Sequence, residues 1–197
     1  LNGSSKISEE TRAKVLEAAR QLNYQRNALA TALKRSSTKT IALILSDLSG
    51  PYYSELIRGV QETALENGYD LIACSAFGGD TSTAIKFLRE KRVDGAIISA
   101  FNVHDETILD AAREGFPIVV LDRRLESDHV YNVLVDNERG GYLATELMIK
   151  NGCKRIAYIS GSTNSYDHKL RRQGYLQALS DYNLECPSTV NINGRFT

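Results

Sequence analysis

Apolar residues follow two alternating patterns along most of the chain. From residue 40 onward, short unbroken apolar runs predict strands at 40–45, 69–74, 93–99, 117–122, 131–135 and 155–160. Between them, apolar residues at helical spacing predict helices at 52–67, 81–92, 105–114, 137–150 and 168–182. Continuous apolar strands are buried on both faces, which is typical of parallel sheets covered by helices. The pattern therefore predicts a doubly wound parallel α/β fold.

The first forty residues show a different pattern of apolar and polar positions. Ser8 followed by Glu9 and Glu10 is typical of a helix N-cap with acids in the first turn, and helical spacing then continues, so a helix is predicted over 8–22. A second, Ala/Leu-rich segment at 27–35 is long enough for only two helical turns. An isolated helix that short is marginal in water and needs a partner surface. The segment Ser-Ser-Thr at 36–38 is predicted to be a flexible linker.

Charge is distributed unevenly, although the formal net charge is zero. Residues 1–40 hold eight Lys and Arg against three Glu, a net charge of +5, and residues 41–197 balance this with −5. We call residues 1–40 the head and residues 41–197 the body. A basic head on an acidic body suggests that the head binds a polyanion. The alternative is a solvated helix face, and charge alone does not decide between them.

Composition excludes several classes of protein. With 42% apolar and 24% charged residues, the chain is neither disordered, nor collagen-like, nor a coiled coil. No apolar run approaches the roughly 20 residues that span a bilayer, so no membrane contact is predicted. The start of the sequence lacks a secretory signal pattern. Three widely spaced cysteines (Cys74, Cys153 and Cys186) suit a reducing compartment, and a cytoplasmic location is expected.

Polar and aromatic residues follow the predicted strands. In an open parallel sheet, ligands bind beyond the carboxyl ends of the strands. The segments at those ends are 46–53, 75–77, 100–101, 122–123, 136–137 and 161–162. They supply hydroxyls, two adjacent tyrosines, carboxylates and a guanidinium. Aromatic faces cover C–H groups while charged groups bind hydroxyls, so this set suits a small polyhydroxylated ligand.

Motifs of enzymes and cofactor sites are absent from the sequence. No G-x-G-x-x-G follows the first strand, and neither a G-x-x-x-x-G-K-[ST] loop nor a G-x-S-x-G elbow occurs. His104, His129 and His168 have no metal-ligand spacing. We therefore expect no cofactor, no metal and no catalytic residues, and an enzyme is the weaker interpretation.

Several short motifs, in order and at matching separations, resemble the LacI/GalR-type bacterial repressors. The segments that carry the resemblance are 7–19, 22–33, SDLSGPYYSELIRGV (46–60), KRVDG (91–95), LDR (121–123), VDNxxGG (135–141) and RxxGY (171–175). By this resemblance, residues 1–24 are the remnant of a helix-turn-helix DNA-binding domain and 25–39 a hinge helix with its linker. Residues 40–134 are the first effector-binding lobe, and 135–197 are the incomplete start of a second lobe of periplasmic-binding-protein type.

The resemblance also implies how the head meets DNA. Its hinge helices dock in the minor groove, where a leucine wedges between base steps and bends the duplex. Leu33 matches that leucine, and the alternative is that Leu33 packs on its own domain. The positions that match DNA contacts are Tyr24, Asn27, Ala30, Leu33 and Lys34. Arg26 stands where the family usually has proline, which loosens the start of the hinge and adds attraction for phosphate.

In the body, the resemblance implies a site for an effector between the lobes. The matching positions are Ser46, Tyr52, Tyr53, Asp122, Arg123, Lys169 and Arg171. One of the two tyrosines is alternatively a core residue, and Asp122 is alternatively a helix cap with Arg123 solvated. Gly50 stands where related sugar binders often have asparagine, so one hydrogen bond is lost. Asp136 and Asn137 are expected to cap the next helix rather than to bind ligand.

The leading hypothesis is a transcriptional repressor. It would bind a near-palindromic operator as a homodimer, and a small-molecule effector, most simply a carbohydrate, would switch its affinity for DNA. The alternative is a sugar-binding protein of a solute-uptake system, which accounts for residues 40–197 but not for residues 1–35. A sugar-processing or nucleotide-using enzyme is a third hypothesis, and it lacks the motifs that it requires.

Overall fold

The protein is described by a computed structural model that covers residues 8–22, 24, 36–90, 92–160, 166–187 and 192–193. Its helices are α1 (Glu9–Gln21), α2 (Pro51–Glu66), α3 (Thr83–Arg89), α4 (Asp105–Ala111), α5 (Asn137–Lys150) and α6 (Tyr166–Asp181). Its strands are β1 (Thr40–Leu45), β2 (Asp70–Ser75), β3 (Gly95–Ser99), β4 (Ile118–Leu121), β5 (Val130–Val133), β6 (Ile159–Ser160) and β7 (Ile192–Asn193). The chain divides into two compact units, Leu1–Thr38 and Lys39–Thr197.

In the first unit, α1 forms where the cap signal predicts it. The Ser8 side chain accepts a hydrogen bond from the Thr11 amide at 3.3 Å and so satisfies one of the donors at the helix start. At the other end, the Tyr24 amide donates to the Ala19 carbonyl at 2.8 Å. None of the α1 residues is buried, and the side chain of Leu16 is 51% exposed. The predicted hinge helix at 27–35 lies outside the described residues.

The second unit contains a five-stranded parallel sheet in the order β2-β1-β3-β4-β5. In β1, an interior strand of the sheet, Leu43 and Ile44 point to opposite faces, and both are fully buried. Both faces of the sheet are therefore covered at β1. This arrangement confirms the predicted parallel α/β fold. We call β1 to β5 with α2, α3 and α4 the sheet region.

The strand order determines where loops converge. The chain runs from β1 outward to β2 and then returns past β1 to form β3. The connections after β1 and β3 thus leave the sheet in opposite directions and open a crevice at the carboxyl ends of these two strands. Residues that follow β1 and β3 are the ones placed at this crevice.

The rest of the second unit is built around two helices that cross closely; we call α5, β6, α6 and β7 the helix-pair region. A Cβ on Gly141 would lie 2.2 Å from the Arg171 carbonyl oxygen, and one on Gly174 would lie 1.9 Å from that of Glu138. Glycine is thus required for the helices to approach this closely. Ile156, Tyr175 and Leu179 form a small core beside the crossing, separate from the core of the sheet region.

Three predicted elements are shorter than expected by three residues or more. The run at 155–160 forms only the two-residue strand β6, because its pairing with β7 extends over two residues. The helix predicted over 81–92 is α3, preceded by a 3₁₀ turn at Gly79–Thr81 and by the extended Ser82. The helix predicted over 105–114 ends at Ala111, since Ala112 takes an extended conformation. No helix among the described residues has the length and apolar character that crossing a membrane requires.

Candidate functional site

Ser46 connects the loops at the crevice. Its amide donates to the Ser99 carbonyl at 3.2 Å, which continues the ladder between β1 and β3 by one step. Its hydroxyl accepts from the Phe101 amide, also at 3.2 Å, and its carbonyl accepts from the Ser75 hydroxyl at 3.3 Å. Ser46 therefore holds together the segments that follow β1, β2 and β3, and it places its hydroxyl at the point where the sheet topology predicts a ligand.

Helix α2 brings the two predicted tyrosines to the same end of the sheet. Gly50 has a φ of +90°, which turns the chain sharply into the helix, and Pro51 occupies the first turn, where its missing N–H costs nothing. The Tyr52 and Tyr53 rings meet edge to face with centroids 5.4 Å apart. Tyr52 is 60% exposed, whereas Tyr53 is half-buried. Tyr52 is thus the ring available for stacking, and Tyr53 supports it.

Asp122 is held in a left-handed backbone conformation directly after β4. Its φ is +56°, which is uncommon for a residue with a side chain and often marks a functional site. The Asp122 amide donates to the Val133 carbonyl at 3.1 Å. The Tyr52 hydroxyl donates to the carboxylate at 3.4 Å. Partial burial, followed by the Asp122 charge, raises the pKa of Tyr52. The structure thus brings two predicted site residues together.

Arg123 is turned toward its own domain. Its guanidinium donates to the Val103 carbonyl at 2.8 Å, to the Ala100 carbonyl at 3.0 Å and to the Asp105 carboxylate at 2.9 Å. The side chain is only 20% exposed. These bonds tie the loop after β3 and the start of α4 to the end of β4. In this structure Arg123 shapes the crevice, and ligand contact by Arg123 stays a prediction.

On the helix-pair side, Arg171 is oriented by Asn137. The Arg171 Nε donates to Asn137 Oδ1 at 2.6 Å, and the Asn137 amide nitrogen donates to the Val135 carbonyl at 3.2 Å. Asp136 caps α5 by accepting from the Arg139 amide at 2.9 Å, as the sequence indicates. Asn137 is 3% exposed, so its side chain supports Arg171 from a buried position. Lys169, two residues before Arg171 on α6, is exposed.

Asp167 is a candidate site residue that the sequence analysis missed. Its side chain is 13% exposed, and its Oδ2 lies 3.8 Å from the Arg171 guanidinium. Its Oδ1 is buried and has no hydrogen-bond partner among the described residues. Burial first, and the Asp122 charge second, raise the pKa of Asp167, while Arg171 opposes them. The i, i+4 spacing between Asp167 and Arg171 was the available sequence signal.

Other features lie outside this crevice. A groove of about 480 Å³ in the helix-pair region is lined mainly by apolar groups, and the residues that it shares with the network around Arg171 are Val135, Asp136, Asn137 and Arg171 itself. Of the predicted DNA contacts, Tyr24 follows α1 and is 68% exposed. The other four (Asn27, Ala30, Leu33 and Lys34) lie outside the described residues. In the part of the chain that the structure covers, no group of three or more His, Cys, Asp or Glu side chains is arranged to hold a metal.

Comparison with known proteins agrees with this architecture. Residues 38–190 match the family described as periplasmic binding proteins and sugar binding domain of the LacI family. This match covers well over half of the chain, so the chain belongs to the LacI/GalR family.

Similar proteins include regulators. The HTH-type transcriptional repressor PurR of Vibrio cholerae serotype O1 is 33% identical over 200 residues, which cover 100% of this chain and 59% of PurR. A CelR transcriptional regulator in complex with cellobiose is 29% identical with a TM-score of 0.66, and the match covers 100% of this chain and 60% of CelR. A LacI-family regulator from Enterococcus faecium with bound ribose is 26% identical with a TM-score of 0.69, over 80% of this chain and 58% of that one. The chain thus spans about three fifths of the length of these proteins.

Proposed function

We propose that this protein is a transcriptional repressor whose affinity for operator DNA is switched by a small-molecule effector. The effector binds at the crevice beyond the carboxyl ends of β1 and β3, and the helix-pair region also contacts it. The operator is near-palindromic, the functional unit is a homodimer, and the protein acts in the cytoplasm. Its role is to bind and to switch, and no catalytic step is part of the proposal.

One observation carries this proposal: regulators match the chain over its whole length. The repressor PurR and the regulator CelR each cover 100% of the chain, including the 38 residues of the first unit. That unit bears the capped helix α1 and the excess of basic residues. A body that binds ligand and a separate basic head are the two parts that a ligand-controlled DNA-binding protein needs.

For the DNA contact, we propose the residues that the family resemblance indicates. Tyr24, Asn27 and Ala30 lie against the minor groove, and Leu33 wedges between base steps. Lys34 lies near phosphates, which position a protein without reading sequence. An apolar wedge partly unstacks one step and permits a bend that brings more of the duplex into contact.

For the effector, we propose that the two sides of the crevice bind one molecule. Ser46, Tyr52, Tyr53, Asp122 and Arg123 act from the sheet region. Lys169 and Arg171 act from the helix-pair region. The exposed Tyr52 ring covers an apolar face of the ligand, and the carboxylate of Asp122 accepts from its hydroxyls. Ligands named with two structural neighbours, cellobiose and ribose, support a carbohydrate effector.

Switching follows from the position of the ligand. A molecule bound between two regions favours one angle between them, and it shifts the equilibrium only by the difference in its affinity for the two states. In a homodimer joined through the sheet regions, that angle changes the spacing of the two hinges. Hinge helices too short to be stable alone would then lose their order on DNA.

The test is a titration of short palindromic duplexes, selected from the gene neighbourhood of the protein, with the full-length protein. Fluorescence anisotropy of the labelled duplex measures the binding. We expect specific binding that a sugar changes at least tenfold. The alternative, a binding protein of a sugar-uptake system, predicts that a sugar binds and that the palindrome binds no better than a scrambled duplex of equal length. The scrambled duplex thus serves as the control that separates the two functions.

A further inference from the structure

We propose that the effector contains two linked rings and that Phe77 and Phe101 bind the second of them, an inference that rests on the proposed function. The first ring carries hydroxyls and lies at Tyr52 and Asp122, which we call the polar subsite. The second ring is flat and apolar, so the chemical class is that of an aryl glycoside, in which an aromatic group is joined to a sugar. Phe77 and Phe101 form an apolar subsite beside the polar one.

The first observation is that two phenylalanines are exposed to solvent at the edge of the sheet where the crevice opens. Phe77 and Phe101 are 87% and 80% exposed. Single exposed apolar residues are ordinary, whereas neighbouring exposed aromatic rings are typical of a binding surface. Covering a phenylalanine ring removes a large apolar area from water, which is favourable. A ligand that covers these two rings therefore gains affinity from both.

The second observation is that the two phenylalanines occupy equivalent positions on the strands that flank β1. In the sheet register, Leu45 at the end of β1 pairs with Ser75 of β2 and with Ser99 of β3. Phe77 and Phe101 each follow two residues later. Neighbouring strands lie about 4.8 Å apart, so the backbones of β2 and β3 are separated by about 10 Å. A flat ring that lies over the end of β1 is therefore flanked by both phenylalanines.

The third observation is that hydrogen bonds fix the backbone of both phenylalanines, although their rings are uncovered. The Phe77 amide donates to the Ser75 hydroxyl at 3.1 Å, and this hydroxyl donates to the Ser46 carbonyl at 3.3 Å. The Phe101 amide donates to the Ser46 hydroxyl at 3.2 Å. Side chains on a backbone that is already ordered lose less freedom when a ligand binds, which favours affinity.

The polar groups of these two loops are used within the protein. The Asn102 side-chain nitrogen donates to the Ala76 carbonyl at 2.7 Å and so joins the loops directly. Asn102 Oδ1 is buried. In segments 76–78 and 100–102, the exposed residues are the two phenylalanines and Gly78. This end of the crevice therefore suits an apolar group better than a second hydroxyl-rich ring.

The polar subsite lies next to Phe101 along the same edge of the sheet. Tyr52 is at the start of α2, which follows β1, and Asp122 follows β4, while β3 lies between these two strands. The bond of 3.4 Å from the Tyr52 hydroxyl to the Asp122 carboxylate therefore spans the end of β3, which Phe101 follows. A ligand that lies along this edge meets hydroxyl-binding groups toward β4 and the phenylalanine rings toward β2.

The experiment compares methyl and phenyl glycosides in matched pairs, because the two members of a pair differ in whether they carry the second ring. Both anomers of the glucosides, galactosides, xylosides and ribosides are titrated into the full-length protein by calorimetry, together with cellobiose. We expect one phenyl glycoside to bind at least about tenfold more tightly than its methyl partner. Its heat-capacity change on binding should also be more negative, because more apolar surface is buried.

Variants of the two phenylalanines assign this preference to the apolar subsite. Phe77→Ala and Phe101→Ala should each reduce the preference to less than about threefold and change the affinity for the methyl glycoside by less than about twofold. Phe101→Tyr keeps the ring and should keep the preference. Leu65→Ala is the control, since Leu65 is 73% exposed at the far end of α2. All of these side chains are exposed, so each unliganded variant should melt within about 2 °C of the unaltered protein.

Any one of four results would overturn the inference. They are the absence of binding by every phenyl glycoside, equal affinity within every pair, tighter binding of cellobiose than of the phenyl glucosides, and a preference that survives both alanine variants. Sedimentation velocity adds a further check. If the alanine variants dissociate a dimer and leave the ligand preference unchanged, the two rings are contacts between copies of the chain and not a subsite.

The operator titration is read separately from these measurements. A preference for a phenyl glycoside with the expected variant pattern, but no specific binding of DNA, would refute the proposed repressor function and leave the apolar subsite intact. Specific binding of DNA that responds equally to the methyl and phenyl members of a pair would do the reverse.

Discussion

The sheet region and the helix-pair region are stabilised by different kinds of contact. In the sheet region, buried apolar side chains pack on a parallel sheet, and Phe116, Ile98 and Ile118 are each at most 2% exposed. In the helix-pair region, α5 and α6 cross so closely that Gly141 and Gly174 have backbone atoms where a Cβ would stand. Buried side-chain volume stabilises the sheet region, whereas the helix-pair region requires glycines, which have no side chain, where its two helices cross. Removing a buried side chain should therefore destabilise the sheet region, whereas adding a side chain where α5 and α6 cross should destabilise the helix-pair region.

The largest effect is expected from removing volume in the sheet region. Phe116→Ala should lower the free energy of unfolding by about 3–5 kcal/mol, because it deletes a buried ring and leaves a cavity. Urea denaturation of the full-length protein measures the loss. Val133→Ala in the same region is the control, since Val133 is 55% exposed, and its effect should be within about 0.5 kcal/mol. Equal losses in both variants would contradict the described core.

In the helix-pair region, a single added methyl group should destabilise the protein at Gly141 but not at the adjacent Gly140. Gly141→Ala places its methyl 2.2 Å from the Arg171 carbonyl oxygen, and we expect a loss of about 1–3 kcal/mol as the helices move apart. A Cβ on Gly140 meets nothing within 4 Å. Gly140→Ala should therefore stabilise the helix by up to about 1 kcal/mol. The same denaturation series measures both, and a stable Gly141→Ala variant would show that the helices are not in close contact.

The two regions also differ in how far the sequence predicts them. Helix α5 has the predicted bounds, because both of its ends depend on local signals: the Asp136 side chain caps the start, and Gly152 at a φ of +88° follows the end. The strand predicted at 155–160 shrinks to β6, because its partner β7 lies more than thirty residues further along the chain. Local chemistry is readable from the sequence, whereas non-local pairing is not.

The candidate site shows the same division. Residues directly after a strand, such as Ser46 and Asp122, could be proposed from the general rule for parallel sheets, and the structure places both at the carboxyl ends of their strands. The environment of Asp167 could not be predicted, because the Asp122 charge that helps to raise its pKa comes from a residue distant in sequence. The backbone carbonyls that accept from Arg123 could not be predicted either, because they belong to residues that follow the neighbouring strand β3.

A smaller effect should come from the polar contact that orients Arg171. Asn137→Ala removes the acceptor that lies 2.6 Å from Arg171 Nε and the side-chain donor to the Val135 carbonyl, whereas the backbone amide of residue 137 still donates to that carbonyl at 2.8 Å. We expect a loss of about 1–2 kcal/mol in the free energy of unfolding, together with weaker effector binding. Asn151→Ala is the control, because Asn151 is an exposed residue that donates only to the carbonyl of Leu147 within its own helix end. Effector binding that is lost in both variants alike would argue against a specific role for Asn137.

The smallest effect concerns acid stability at the edge of the sheet region. Asp80 accepts from the His104 amide at 3.1 Å and contacts the His104 ring. Burial raises the pKa of Asp80, but the bonds from the His104 ring and amide and from Thr107 outweigh it and hold the pKa below its ordinary value.

A carboxyl whose folded pKa is lowered contributes stability above its ordinary pKa of about 4, and this stability is lost as the pH falls through the folded value. The contact lies near solvent, so Asp80→Asn should lower the melting temperature at pH 7 by only about 1 °C. The difference from the unaltered protein should shrink as the pH falls through the lowered pKa of Asp80, because Asp80 itself then becomes neutral. Asp128→Asn, at an exposed loop position, should show no difference at either pH. Melting curves measured from pH 7 to pH 3 test this, and a difference that grows toward low pH would contradict it.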